Sequence, residues 1–140
     1  MSTAVSGKYL GDLLAEAKHE ASGEKLLSGS YIERAGKITS KSFTPAELCA
    51  SALAMCAMIT MGFYADNHKL DITGTTFEAT PTMSDDSPHR ITKIEICLNF
   101  PDKGFTDKDK TSLERAAKVC PIHNSLHPDI EQVIVFNWAK

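Results

Sequence analysis

Phe43-Thr44-Pro45-Ala46-Glu47-Leu48-Cys49-Ala50-Ser51-Ala52-Leu53-Ala54-Met55-Cys56-Ala57-Met58-Ile59-Thr60-Met61-Gly62-Phe63-Tyr64-Ala65-Asp66-Asn67 is the stretch on which the fold turns. It opens as a helix must. Thr44 is a good N-cap and Pro45 suits the first helical position, where a missing N–H costs nothing. Glu47 falls at the third position and completes a capping box. Asn67, His68 and Lys69 suit a C-terminal end. Between them, the 18 residues Leu48 to Ala65 carry no charge. That length sits at the lower threshold for a membrane span. Five alanines with Ser51, Thr60 and Gly62 dilute the run, and no Lys or Arg cluster flanks it. A helix apolar all round and buried in a core explains it better.

The flanks supply the strands. Residues 7 to 30 read as a hairpin. Tyr9, Leu10, Leu13 and Leu14 lead to a turn at Ser22-Gly23, and Lys25 to Leu27 follows. Glu33 to Ser42 is polar and reads as a loop. After the helix, Thr73 to Thr82 reads as a strand and Ser84 to Pro88 as a turn. Ile91 onward is a second strand, with Ile94, Ile96, Leu98 and Phe100 alternating onto one face. Thr106 with Asp109 opens a helix to about Val119. Cys120-Pro121 starts a short helix, because a residue before proline leaves the helical region. Val133 to Trp138 is a last strand. The order predicts an α+β fold, with antiparallel sheets wrapped around a long central helix, in one domain spanning residues 1–140.

The chain has 140 residues, a formal net charge of −3 and 42% hydrophobic content. This balance fits a globular protein and argues against a phosphate-binding surface for nucleic acid. The N-terminus has no basic segment followed by an apolar run, so the expected compartment is the cytoplasm. There the four cysteines are not a disulfide framework, and each is read separately.

Cys49 and Cys56 share roughly one helix face, about 10.5 Å apart along the axis, too far for a disulfide. Cys56 by position alone reads as a small core hydrophobe. Cys120 precedes Pro121 at a helix start, where the dipole and unpaired N–H groups favour thiolate. Cys97 lies off the apolar face of its strand and is read as structural. Cys120, His123 and His127 are candidate metal ligands, but zinc usually needs four with paired spacings.

Two segments carry a resemblance. Phe43 to Cys56 and Ala116 to Leu126, the second containing Cys120-Pro121, together resemble the OsmC/Ohr family of osmotically inducible and organic hydroperoxide resistance proteins. The likeness runs from about Tyr9 to Trp138. It implies an intertwined homodimer with active sites at the subunit interface. It implies a peroxidatic Cys56 and a resolving Cys120. A thiolate would attack the O–O bond and become a sulfenic acid, and the second thiol would close a disulfide. It further implies organic hydroperoxides as substrate and a dithiol reductant of the lipoyl type; no cofactor or metal is expected. Cys56 lies inside a helix and needs a cation. The family's arginine, held by a glutamate, maps to Arg34 and Glu47, with Lys18 or His19 as substitutes. The family glutamate follows its proline directly, whereas here Ala46 intervenes. A one-residue shift turns a side chain about 100° around the helix. Glu47 is thus either a catalytic partner or a helix cap.

Two other readings stay open. A non-catalytic protein of this fold would bind a hydrophobic ligand at the dimer interface, lined by Met55, Met58, Met61 and Phe63. A structural metal protein would use Cys120, His123 and His127.

Overall fold

The computed structural model describes residues 2–140. The chain divides into two compact units, one ending at Leu48 and the other starting at Cys49.

The first unit holds a three-stranded antiparallel sheet, β1 (Val5–Gly11), β2 (Leu14–His19) and β3 (Lys25–Gly29), in that order. The expected Ser22-Gly23 turn joins β2 to β3, with Gly23 at φ 77°. A second turn at Asp12-Leu13 makes an additional hairpin. Both residues have positive φ, 56° and 59°, which matches the twist of a two-residue hairpin loop. The segment expected to be a loop contains a further hairpin, β4 (Ile32–Arg34) and β5 (Lys37–Thr39). It turns through Ala35-Gly36, also at positive φ. The Gly29 N–H donates to the Phe43 carbonyl at 2.8 Å and ties β3 to the segment before the long helix.

That helix, α1 (Pro45–Asn67), begins in the first unit and runs into the second. Its end is a left-handed turn. Lys69 has φ 57°, and the Leu70 N–H reaches back to the Ala65 carbonyl at 2.9 Å. In the second unit Ala50, Leu53, Ala54, Ala57, Met61 and Ala65 are buried. Their spacing traces one face, and the alanines permit close approach to the sheet. The helix is not buried all round, as the sequence reading expected. Met55, Ile59 and Phe63, four residues apart, are 45%, 61% and 70% exposed.

The sheet consists of β6 (Thr76–Met83), β7 (Ile91–Phe100) and β8 (Glu131–Trp138), with β7 in the middle. Ile94, Ile96, Leu98 and Phe100 of β7 are buried, as their alternation predicts. β6 pairs antiparallel, but β8 lies parallel to β7, so the sheet is mixed. A parallel neighbour needs a long crossover, and α2 (Asp107–Ala117) with α3 (Pro121–Ser125) provides it. Thr106 and Asp109 form the expected capping box on α2. Leu113 and Ala117 of α2 and Cys120 complete the core with α1 and β7.

Candidate active site

Cys56 projects from the middle of α1, half-buried. One turn on, the Thr60 hydroxyl donates to the Cys56 carbonyl at 2.8 Å. Cys120 ends the connection from α2. Its backbone is extended (φ −65°, ψ 132°), as a residue before proline requires. It caps α3, its Sγ accepting the His123 N–H at 3.4 Å. Cys120 is fully buried, and Cys56 is close enough to it to bear on its titration. Both cysteines are free thiols.

The environment reverses one expectation. The helix start alone predicts an activated Cys120. Instead, burial pushes its thiol above the ordinary cysteine range, and the neighbouring Cys56 pushes it further. The His123 and Ile122 N–H groups pull the other way and do not prevail. The reason is the size of each effect. A five-residue helix offers few aligned N–H groups, while complete burial removes the water that would solvate a thiolate. Two adjacent thiols do not readily carry two charges, and Cys120 keeps its proton.

Glu47 and Arg34 lie in the first unit and have other partners. Glu47 Oε1 accepts the Thr44 N–H at 2.8 Å, and the Glu47 N–H donates to Thr44 Oγ1 at 3.1 Å. This is the capping box. Glu47 Oε2 accepts the Tyr31 hydroxyl at 3.0 Å. The Thr44 N–H holds the Glu47 carboxyl below the usual range despite partial burial. The hydrogen bond that Tyr31 donates to Glu47 raises the Tyr31 phenol by holding its proton, and the carboxylate charge adds to the effect. Arg34 pairs with Asp12 at 3.3 Å, and Lys41 reaches the same carboxylate at 3.4 Å. Among the described residues Arg34 and Glu47 form no ion pair with each other. His19 bonds the Ser22 hydroxyl at 2.6 Å in the β2–β3 turn.

The other candidates separate. His123 Nδ1 lies 2.5 Å from Gln132 Oε1. His127 Nδ1 accepts the Asp129 N–H at 3.0 Å. Among the described residues no group of three or more His, Cys, Asp or Glu is placed to hold a metal ion. Met61 lies in the core, whereas Met55 and Phe63 face outward, so the four proposed ligand-lining residues do not share one face. Cys97, on the far side of β7, accepts the Asn137 side-chain amide at 3.0 Å.

A groove of about 460 Å³ runs between α1 and α2, lined by Thr60, Tyr64, Ser112, Arg115, Ala116 and Val119. Thr60 follows Cys56 by one turn and Val119 immediately precedes Cys120. Sequence reasoning missed Tyr31, Gln132 and this groove. Tyr31 precedes Glu47 by sixteen residues, and no local pattern couples the two.

This architecture is that of a known family. The chain belongs to the OsmC-like proteins, whose family model matches residues 38–133. It is similar to a Psychrobacter arcticus 273-4 protein described, provisionally, as an osmotic stress induced and detoxification response protein. The two are 29% identical over 98% of this chain and 97% of that one, with a TM-score of 0.87. The fold is also that of the organic hydroperoxide resistance protein OsmC from Legionella pneumophila, 14% identical over 98% and 97% of the two chains, with a TM-score of 0.70. OhrB of Bacillus subtilis, an organic hydroperoxide resistance protein, shares it at 15% identity over 98% of each chain and a TM-score of 0.65. No curated protein sequence matches the chain significantly.

Proposed function

We propose that the protein is a thiol peroxidase that reduces organic hydroperoxides through Cys56 and Cys120. The observation that carries this reading is the pairing of two free thiols on neighbouring elements, Cys56 half-buried on α1 and Cys120 buried at the start of α3. Cys56 attacks the O–O bond as thiolate. The S–O bond forms, the O–O bond breaks, and the departing alkoxide takes a proton to become an alcohol. Cys120 then loses its proton and attacks the sulfenic sulfur. The S–S bond forms, the S–O bond breaks, and hydroxide leaves as water. A dithiol of the lipoyl type returns both cysteines to thiols by exchange.

The groove beside Thr60 and Val119 suits an apolar substituent on the hydroperoxide. The protein acts in the cytoplasm as a homodimer in a single-domain fold. The exposed strip Met55, Ile59 and Phe63 supports that partner, since outward apolar residues this large favour cover. Glu47 fixes the start of α1. The test is steady-state consumption of cumene hydroperoxide with dihydrolipoamide. Cys56→Ser abolishes it, whereas Cys120→Ser permits one turnover followed by overoxidation. Full activity in Cys56→Ser overturns the proposal.

One observation favours a second reading, a non-catalytic protein binding a hydrophobic ligand. Arg34 and Glu47 are each engaged elsewhere. Turnover at the level of the enzyme-free blank supports that reading.

A further inference from the structure

Gln132 lies on β8, opposite the buried Ile94 in the parallel register. Its backbone is therefore fixed by the sheet. Its side chain spans two atoms of one residue. Oε1 lies 2.5 Å from His123 Nδ1, and Nε2 donates to the His123 carbonyl at 3.1 Å. The two contacts determine each other. A carbonyl only accepts, so the amide nitrogen must face it and Oε1 must face the ring. The ring nitrogen facing Oε1 therefore carries the proton. The N–H of the same His123 donates to Cys120 Sγ. Hydrogen bonds on either side of His123 thus link the sheet to the buried thiol through that one residue.

We propose that Gln132, acting through His123, is the positioning residue that aims Cys120 at Cys56 for disulfide closure. This rests on reading the two cysteines as a redox pair. The need for a clamp follows from α3. A helix of five residues does not hold its shape alone, and its cap is the very residue that must move onto a sulfenic sulfur. Closure requires in-line approach, and small misplacements slow such steps steeply. Gln132 touches neither sulfur. It sets where α3, and hence Cys120, rests.

The experiment is quenched-flow oxidation of the full-length protein with a small excess of cumene hydroperoxide. Remaining thiols are alkylated, and Cys56 and Cys120 are followed by peptide mass analysis. Gln132→Ala leaves Cys56 oxidation within about twofold of wild type. Loss of both bonds slows the appearance of the Cys56–Cys120 disulfide about tenfold. The share of Cys56 reaching sulfinic acid rises in step. Gln132→Glu keeps the ring contact and loses the carbonyl contact, so it recovers part of the closure rate. It also serves as the test variant should Gln132→Ala fail to fold. A folded Gln132→Ala or Gln132→Glu that closes at the wild-type rate overturns the proposal. If cumene hydroperoxide leaves wild-type Cys56 untouched, the peroxidase reading fails by itself. The clamp is then judged with diamide, which joins two neighbouring thiols by accepting their two hydrogens. In that arm wild type must close and Gln132→Ala must lag about tenfold, and equal rates overturn the clamp.

Discussion

Replacing Glu47 separates a helix cap from a catalytic group. Glu47→Ala removes the hydrogen bonds that Glu47 accepts from the Thr44 N–H and the Tyr31 hydroxyl. A lost cap costs about 1 kcal/mol, and the partly exposed Tyr31 contact adds roughly half as much. The expected loss is thus about 1–2 kcal/mol, or about 3–8 °C in melting temperature for a chain of this size. Glu47→Gln still suits the third position of a capping box, so it should lose less than half of that. The charge leaves its own signature. The folded Glu47 is held below its ordinary value, so its contribution is present above the unfolded glutamate range and disappears as pH falls through the lowered folded value. Thermal melts from pH 3 to pH 7 should therefore show wild type and Glu47→Gln converging at low pH. Thr44→Ala combined with Glu47→Ala should cost less than the sum, because the two side chains cap each other. Hydroperoxide turnover in Glu47→Gln should stay within about threefold of wild type, since the cap survives. An unchanged melting temperature in Glu47→Ala, or a hundredfold loss of kcat/KM in Glu47→Gln at full stability, would refute this account of Glu47.

Further outcomes follow from the core, the thiol and the exposed strip. Leu98→Ala empties a fully buried site in the central strand, so urea melts should show a loss of about 2–5 kcal/mol. Disulfide closure after a hydroperoxide pulse should speed up about tenfold per pH unit beyond the ordinary thiol range, because Cys120 must lose a proton held by burial. A rate that levels off at neutral pH would contradict the burial argument. The same group sets a stability trend. Its folded value is raised, so its contribution is intact below the unfolded thiol value and is lost as pH climbs through the folded one. Phe63→Glu places a charge on the exposed strip of α1 and should yield monomers in sedimentation velocity, with β7 and the core unchanged by circular dichroism.

The parts legible in the sequence were those with a local cause. Thr44-Pro45 with Glu47 marked the start of α1, Thr106 with Asp109 that of α2, and Pro121 that of α3. The alternation in β7 named four buried residues. The Asp12-Leu13 turn was invisible because neither residue is glycine, although both adopt positive φ. The β4–β5 hairpin is three residues to a side, too short for alternation to register. The direction of β8 depends on the crossover rather than on its own residues. At the site, motif and resemblance singled out both cysteines, but the protonation of Cys120 is decided by tertiary burial that no spacing reveals. Gln132 was missed for the same reason, since its partner lies on a different element.

Mass analysis after one equivalent of cumene hydroperoxide tests the central claim most directly. The account predicts that wild-type protein loses two hydrogens, and that digestion maps the new bond to Cys56 and Cys120. Cys120→Ser should instead gain one oxygen on Cys56 and, with more peroxide, a second. An unmodified Cys56, or a disulfide that joins Cys49 or Cys97 in its place, would contradict it.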